Sequence, residues 1–146
     1  MLVPVLLDTH HLSVLEWQEQ PACNRLLMRL DQLPSDDIAT SIVSFQEQAQ
    51  GALAYLRRAR KNDEIVTAYV KLEMIWRWFL KMNVLSFDAA AQSRFAELKP
   101  SCSRVKTMDL RIACIALVTG SILLSRNLRD FRGVPGLVVE DWTADF

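Results

Sequence analysis

Short β-rich runs alternate with segments of helical periodicity along most of the chain. The first run, Leu2-Val3-Pro4-Val5-Leu6-Leu7, is continuously apolar, as a central parallel strand buried on both faces requires. Pro4 is a blemish, because a central strand rarely gives up a backbone donor. Helical periodicity follows over His10–Trp17 and, with Pro21 as a first-turn residue, over Ala22–Leu33. Ile38–Val43 reads as a second strand. Ser44-Phe45-Gln46-Glu47 fits an S-x-x-E capping box and opens a helix to about Arg60. A long amphipathic helix covers Glu64 to Met82, with Ile65, Tyr69, Leu72, Trp76 and Phe79 on one stripe. Val84–Ser86 is a short strand and Asp88–Lys99 a helix. Thr107 is expected to cap a helix through Leu117 that Gly120 ends. Ile122–Ser125 and Leu137–Glu140 are the last strands. This alternation predicts right-handed crossovers and a mostly parallel sheet with helices on both faces.

Composition narrows the function classes. The 146 residues carry 17 basic and 17 acidic side chains, a formal net charge of zero, which excludes a polybasic binder of nucleic acid acting by bulk charge. Cys23, Cys102 and Cys114 are odd in number and far apart, with no C-x-x-C pair, so neither a disulfide framework nor a thiolate zinc site is expected. The first apolar run lacks a basic lead and stops at Asp8, unlike a secretory signal. The longest apolar stretch, Ile112 to Ser125, is about 14 residues and contains Gly120, short of the roughly 18 of a membrane helix. A cytoplasmic protein is the expectation.

The acids fall where an open parallel sheet does its chemistry, beyond the carboxyl ends of its strands. Asp8 ends the first strand, and Glu47 lies in the first helical turn after the second. Asn127 and Asp130 follow the strand ending at Ser125, and Asp109 starts the helix that leads into it. Gathered carboxylates raise one another's pKa, and a divalent cation between them relieves the repulsion. Hard oxygens without Cys or paired His select Mg2+ or Mn2+ over Zn2+. The fitting chemistry is metal-assisted hydrolysis of a phosphodiester. Taken singly, each acid fits a dipole or capping role at a helix N-terminus better than a ligand role, and only their agreement across several strand–helix junctions brings the two level.

Four fragments, in order, resemble the PIN-domain family, and within it the VapC-type toxin ribonucleases of bacterial toxin–antitoxin pairs. They are Leu6-Leu7-Asp8-Thr9-His10; Glu47 with Gly51; Asp109-Leu110-Arg111-Ile112-Ala113-Cys114-Ile115-Ala116; and Ser125-Arg126-Asn127-Leu128-Arg129-Asp130-Phe131, followed by Val134-Pro135-Gly136-Leu137. The resemblance implies one PIN domain over residues 1–146, a three-layer α/β/α fold with a central, mostly parallel sheet. It implies an endoribonuclease that uses Mg2+ or Mn2+ to hydrolyse RNA. Asp8, Glu47 and Asp109 match three of the family's acids, and Asn127 and Asp130 share the fourth position. In that reading Asp8, Asp109 and Asp130 hold the metal, while Glu47 ligates it or orients the attacking water. The resemblance also implies a homodimer and a small antitoxin whose tail fills a groove and blocks the metal site. Pro100–Thr107 lacks the Gly-Arg-rich lead-in of many relatives. A catalytically inactive RNA- or partner-binding module on the same fold is the alternative, opposed by intact Asp8, Glu47 and Asp109. A phosphatase on a similar sheet is disfavoured, because no D-x-D follows the first strand.

Around these acids, Thr9, Ser125, Arg126 and Arg129 are the candidates for substrate contact. Adjacent His10 and His11 point to different helix faces, so at most one is expected to face the site, and a local turn or capping role suits them better. Arg57, Arg58, Arg60 and Lys61 read as a solvated helix end that complements its dipole. Met74 and Trp78 lie opposite the main stripe of their helix. This second apolar patch fits either packing on the preceding helix or a groove for a subunit or partner.

Overall fold

A computed structural model describes residues 3–145, so Leu2 of the expected first strand lies outside the described residues. Strand β1 (Val5–Leu7) is buried at every position, as its unbroken apolar sequence requires. Pro4 does not break it. The proline sits one residue ahead and contributes only its carbonyl, which accepts from Ile122 N–H at 2.9 Å. Helices α1 (Thr9–Trp17) and α2 (Ala22–Leu30) and a short 3-10 turn (Ser35–Asp37) lead to β2 (Ile38–Ser41). The antiparallel pair α3 (Ile42–Arg58) and α4 (Asn62–Leu80) follows, then β3 (Val84–Leu85) and α5 (Ala89–Leu98). Helix α6 (Thr107–Thr119), β4 (Ile122–Leu124), α7 (Leu128–Phe131) and β5 (Val139–Glu140) complete the order.

All five strands are parallel, in the order β3-β2-β1-β4-β5. Leu6 pairs with Ala39 on one side and Leu123 on the other. Chain order reverses at the β1–β4 pair, so a crevice opens beyond Leu7 and Leu124. Successive side chains of β1 feed opposite layers. Leu6 joins Val43, Ala91, Leu110, Ala113 and Leu123 beneath α3, α5 and α6. Val5 and Leu7 join Val14, Cys23, Leu26, Leu30 and Trp142 beneath α1 and α2. The result is three layers, helix–sheet–helix. Cys23, Cys102 and Cys114 are buried and free, and no helix among the described residues is long and apolar enough to cross a membrane.

Three local expectations need correction. Strand β2 stops at Ser41 rather than Val43, because Ser41 is itself the helix cap: its Oγ accepts from Ser44 N–H at 3.1 Å. The expected capping box from Ser44 to Glu47 therefore does not form, and Glu47 lies in the second turn of α3 with its side chain free for other partners. Thr107 is the first residue of α6, not its cap; Lys106 holds that position without a side-chain bond, while Gly120 ends the helix in the left-handed conformation at φ 68°. Of the α4 stripe Ile65, Tyr69, Leu72, Trp76 and Phe79, the residues Ile65, Tyr69 and Trp76 face outward and only Phe79 is buried. The packed side runs through Ala68, Ile75 and Phe79, with Phe79 edge-on to Phe45 at 5.2 Å. Met74 and Trp78, expected on a secondary face, line a groove against α1 and α3.

Candidate active site

The crevice beyond β1 and β4 is a cleft of about 420 Å³, bounded by Asp8, Thr9, Glu47, Asp109, Ser125 and Asn127. Four stretches of chain supply it. Asp8 leaves β1 in extended conformation and caps α1, its Oδ1 accepting from His11 N–H at 2.8 Å. Its own N–H donates to Leu124 carbonyl at 3.0 Å, which fixes the carboxylate relative to β4. Thr9 Oγ1 donates to Glu47 Oε1 at 2.7 Å and lies 3.0 Å from Ser44 Oγ. Asp109 occupies the first turn of α6, where an unpaired N-terminus favours negative charge.

Beyond β4 the chain turns on Ser125, which is fully buried and accepts Asn127 N–H on its Oγ at 3.0 Å. Asn127 reaches the cleft and donates from Nδ2 to Asp130 Oδ2 at 3.0 Å. Asn127 thus lines the opening, while Asp130, bonded to it, is not among the lining residues. Arg126 lines the cleft and is anchored by Nε to Thr143 Oγ1 at 2.9 Å. Arg129 is exposed on α7, outside the residues that line the opening.

Electrostatics mark this as a site of unneutralised negative charge. The Asp109 carboxyl is pushed above its ordinary value of 3.8, first by burial and then by the charges of Glu47 and Asp8; Asp130 adds to the rise and Lys106 opposes it. Among the described residues no three acid, His or Cys side chains are drawn tightly enough to enclose an ion directly as they stand. The donors at the cleft are carboxylate and amide oxygens, the hard ligands that Mg2+ and Mn2+ take, and among the described residues no cysteine lines it.

Several participants escaped the sequence reading. Lys106 had no motif around it. Only one histidine faces the cleft, as expected: His10 is exposed at its mouth, while His11 is fully buried behind the Asp8 carboxylate. Thr143 and Asp141 reach the site only through the closing of the chain on itself. Ser13 lies between the cleft and the neighbouring groove and lines both.

That groove, about 540 Å³, runs between α1, α3 and α4 past Trp17, Gly51, Tyr55, Met74 and Trp78. Its walls hold buried polar atoms without partners, namely Glu16 Oε1, Gln48 Oε1 and Trp78 Nε1. Burial raises the Glu16 carboxyl above its ordinary value, partly offset by a hydrogen bond from Gln48.

Such an arrangement, acids from separate elements at the switch point of a parallel sheet, places the chain in a known class. The PIN domain family model matches residues 5–137, and the chain belongs to that family. A curated relative, the tRNA(fMet)-specific endonuclease VapC of Shigella flexneri, is 26% identical and spans 97% of this chain and 100% of its own. Among solved structures, the DNA-bound VapBC of Salmonella typhimurium superposes with a TM-score of 0.74 at 20% identity, covering 97% of this chain and 99% of its own. The VapBC-1 structure from nontypeable Haemophilus influenzae gives the same TM-score of 0.74 at 19% identity, over 96% and 98% of the two chains.

Proposed function

We propose that this protein is an Mg2+- or Mn2+-dependent endoribonuclease, the toxin of a toxin–antitoxin pair, cutting RNA at phosphodiester bonds. The observation that carries the proposal is the placement of Asp8, Glu47 and Asp109, from three separate elements, around one cleft, where burial first and then the charges of Glu47 and Asp8 raise the Asp109 carboxyl. A structural fold gains nothing from such repulsion, whereas a cation site requires it. Asp8 and Asp109, with Asn127 oriented by Asp130, would hold the ion. When bound, it polarises the phosphodiester and lowers the pKa of the attacking water. Glu47, steadied by Thr9, orients that water and takes its proton. Arg126 lies at the cleft edge to pair with the RNA backbone.

The partner reading rests on the groove. A small antitoxin's tail laid across Trp17, Met74 and Trp78 would bury apolar surface and offer donors to the unpaired oxygens of Glu16 and Gln48. Ser13 then carries the tail to the edge of the catalytic cleft. The row of Ile65, Val66, Tyr69 and Trp76 on the other side of α4 supports pairing with a second copy, leaving the groove open.

The test is cleavage of tRNA(fMet), the RNA named for the Shigella flexneri relative, by purified protein in Mn2+ and in EDTA. Cutting in Mn2+ or Mg2+ that EDTA and Asp8→Asn both abolish is the expected result. Parent-rate cutting by Asp8→Asn overturns the proposal, and binding without cutting favours the inactive module.

A further inference from the structure

Directly behind Asp8 lies a buried group that the proposed reaction does not use. His11 is 0% exposed and does not line the cleft. Trp142 N–H donates to His11 Nε2 at 3.2 Å. A ring nitrogen that accepts a hydrogen bond carries no proton, so the neutral ring is protonated on Nδ1. Nδ1 has no hydrogen-bond partner of ordinary length, and it stands 3.4 Å from Asp8 Oδ1. The same oxygen already accepts the His11 backbone N–H at 2.8 Å. One residue thus gives that oxygen a backbone hydrogen bond and a ring nitrogen in contact that does not bond it, and Asp8 Oδ2 takes no hydrogen bond among the described residues.

On the other side of the ring the C-terminal segment is tightly knit. Asp141 Oδ1 lies 3.4 Å from Nε2, but its lone pairs are engaged by Thr143 N–H at 2.9 Å and Thr143 Oγ1 at 2.6 Å. Thr143 Oγ1 in turn accepts from Arg126 Nε at 2.9 Å. The ring therefore sits between a rigid backbone donor and a cleft carboxylate.

We infer that His11 is a positioning residue for Asp8: held by Trp142, it packs the Nδ1 edge of its ring against Asp8 Oδ1 at 3.4 Å and leaves Oδ2 to the cation. The inference rests on the proposed metal site. It gives His11 the part that outer carboxylate or carbonyl partners commonly take behind a metal ligand. The ring acts through Asp8 and does not meet substrate, since burial keeps it from the cleft.

Two amide variants separate its two contacts. The amide of His11→Gln falls near the place of Nε2, keeping an acceptor for Trp142 N–H and losing the ring nitrogen beside Asp8. That of His11→Asn falls near Nδ1, with the opposite outcome. Mn2+ binding by calorimetry on the full chain is the readout. His11→Gln should weaken Mn2+ about ten- to a hundredfold while melting near the parent, and His11→Asn should bind within about threefold while melting lower. Near-parent Mn2+ binding by His11→Gln, or equal losses in both variants, overturns the inference. Ring-nitrogen NMR of the parent adds a check that needs no variant: His11 should be protonated on Nδ1, and a proton on Nε2 overturns the inference. Asp8→Asn distinguishes the two levels. If it abolishes Mn2+ binding while His11→Gln does not, only the role of His11 falls; if it binds Mn2+ like the parent, the metal site falls and this inference with it.

Discussion

Thr9 and Glu47, 38 positions apart in the chain, are joined by a 2.7 Å hydrogen bond from the threonine hydroxyl to the glutamate Oε1. The bond ties the first turn of α1 to α3 and so sets the glutamate beside Asp8. Thr9→Val keeps the branched shape and removes the donor. Cleavage should fall about ten- to a hundredfold, the usual cost of losing an outer partner in a metal site, and Thr9→Ser should recover most of it. Initial rates on one RNA decide the matter, and a parent rate in Thr9→Val would mean that Glu47 holds its place unaided.

Asp109 yields a prediction of opposite sign with and without metal. Its carboxyl is raised in the fold above 3.8, so the folded chain holds that proton more firmly than the unfolded chain. The resulting stabilisation is present at low pH and lost as pH rises through the shifted value. In EDTA at neutral pH, Asp109→Asn should therefore melt above the parent, and the gap should close below the ordinary carboxylate range. Mn2+ at a hundredfold over its Kd should stabilise the parent by about 2.7 kcal/mol and the variant much less. Melting curves across pH, with and without Mn2+, provide the check.

Ser41 caps α3 through the Ser44 N–H, and both residues are fully buried. Ser41→Ala should cost about 1–2 kcal/mol in urea unfolding, since it removes a cap and strands a buried donor. A loss under about 0.5 kcal/mol would show that the cap is replaced by another acceptor.

Gly51 lies on the groove, and a Cβ added there meets no atom within 4 Å. Gly51→Ala should stabilise α3 by up to about 1 kcal/mol. Gly51→Leu, which extends into the groove, should leave RNA cleavage near the parent level and weaken inhibition by a co-expressed antitoxin at least tenfold. Titration of cleavage against antitoxin measures it, and unchanged inhibition would move the partner elsewhere.

How much of this was legible depended on whether the signal was local. β1 and β4 declared themselves as unbroken apolar runs, and the acids at their ends followed from strand-end chemistry. The start of α3 did not. Ile42 and Val43 extend the β-like composition of Ile38–Thr40, and both Ser41 and Ser44 qualify as caps; Ser41 takes the Ser44 N–H, while Ser44 Oγ is engaged from across the fold by Thr9. The apolar stripe of α4 was visible, but its orientation was not, because Ala68 and Phe79 seat the helix while the larger residues remain exposed. His11 was seen only as one of a pair. Its role depends on Trp142, 131 positions later, which no pattern near residue 11 contains.

That long reach orders events during synthesis. A ribosome delivers Asp8, Glu47 and Asp109 well before the segment that steadies the His11 ring has left the exit tunnel. The contact behind Asp8 therefore closes only when residues near the two ends of the described chain, 131 positions apart, have both emerged and met.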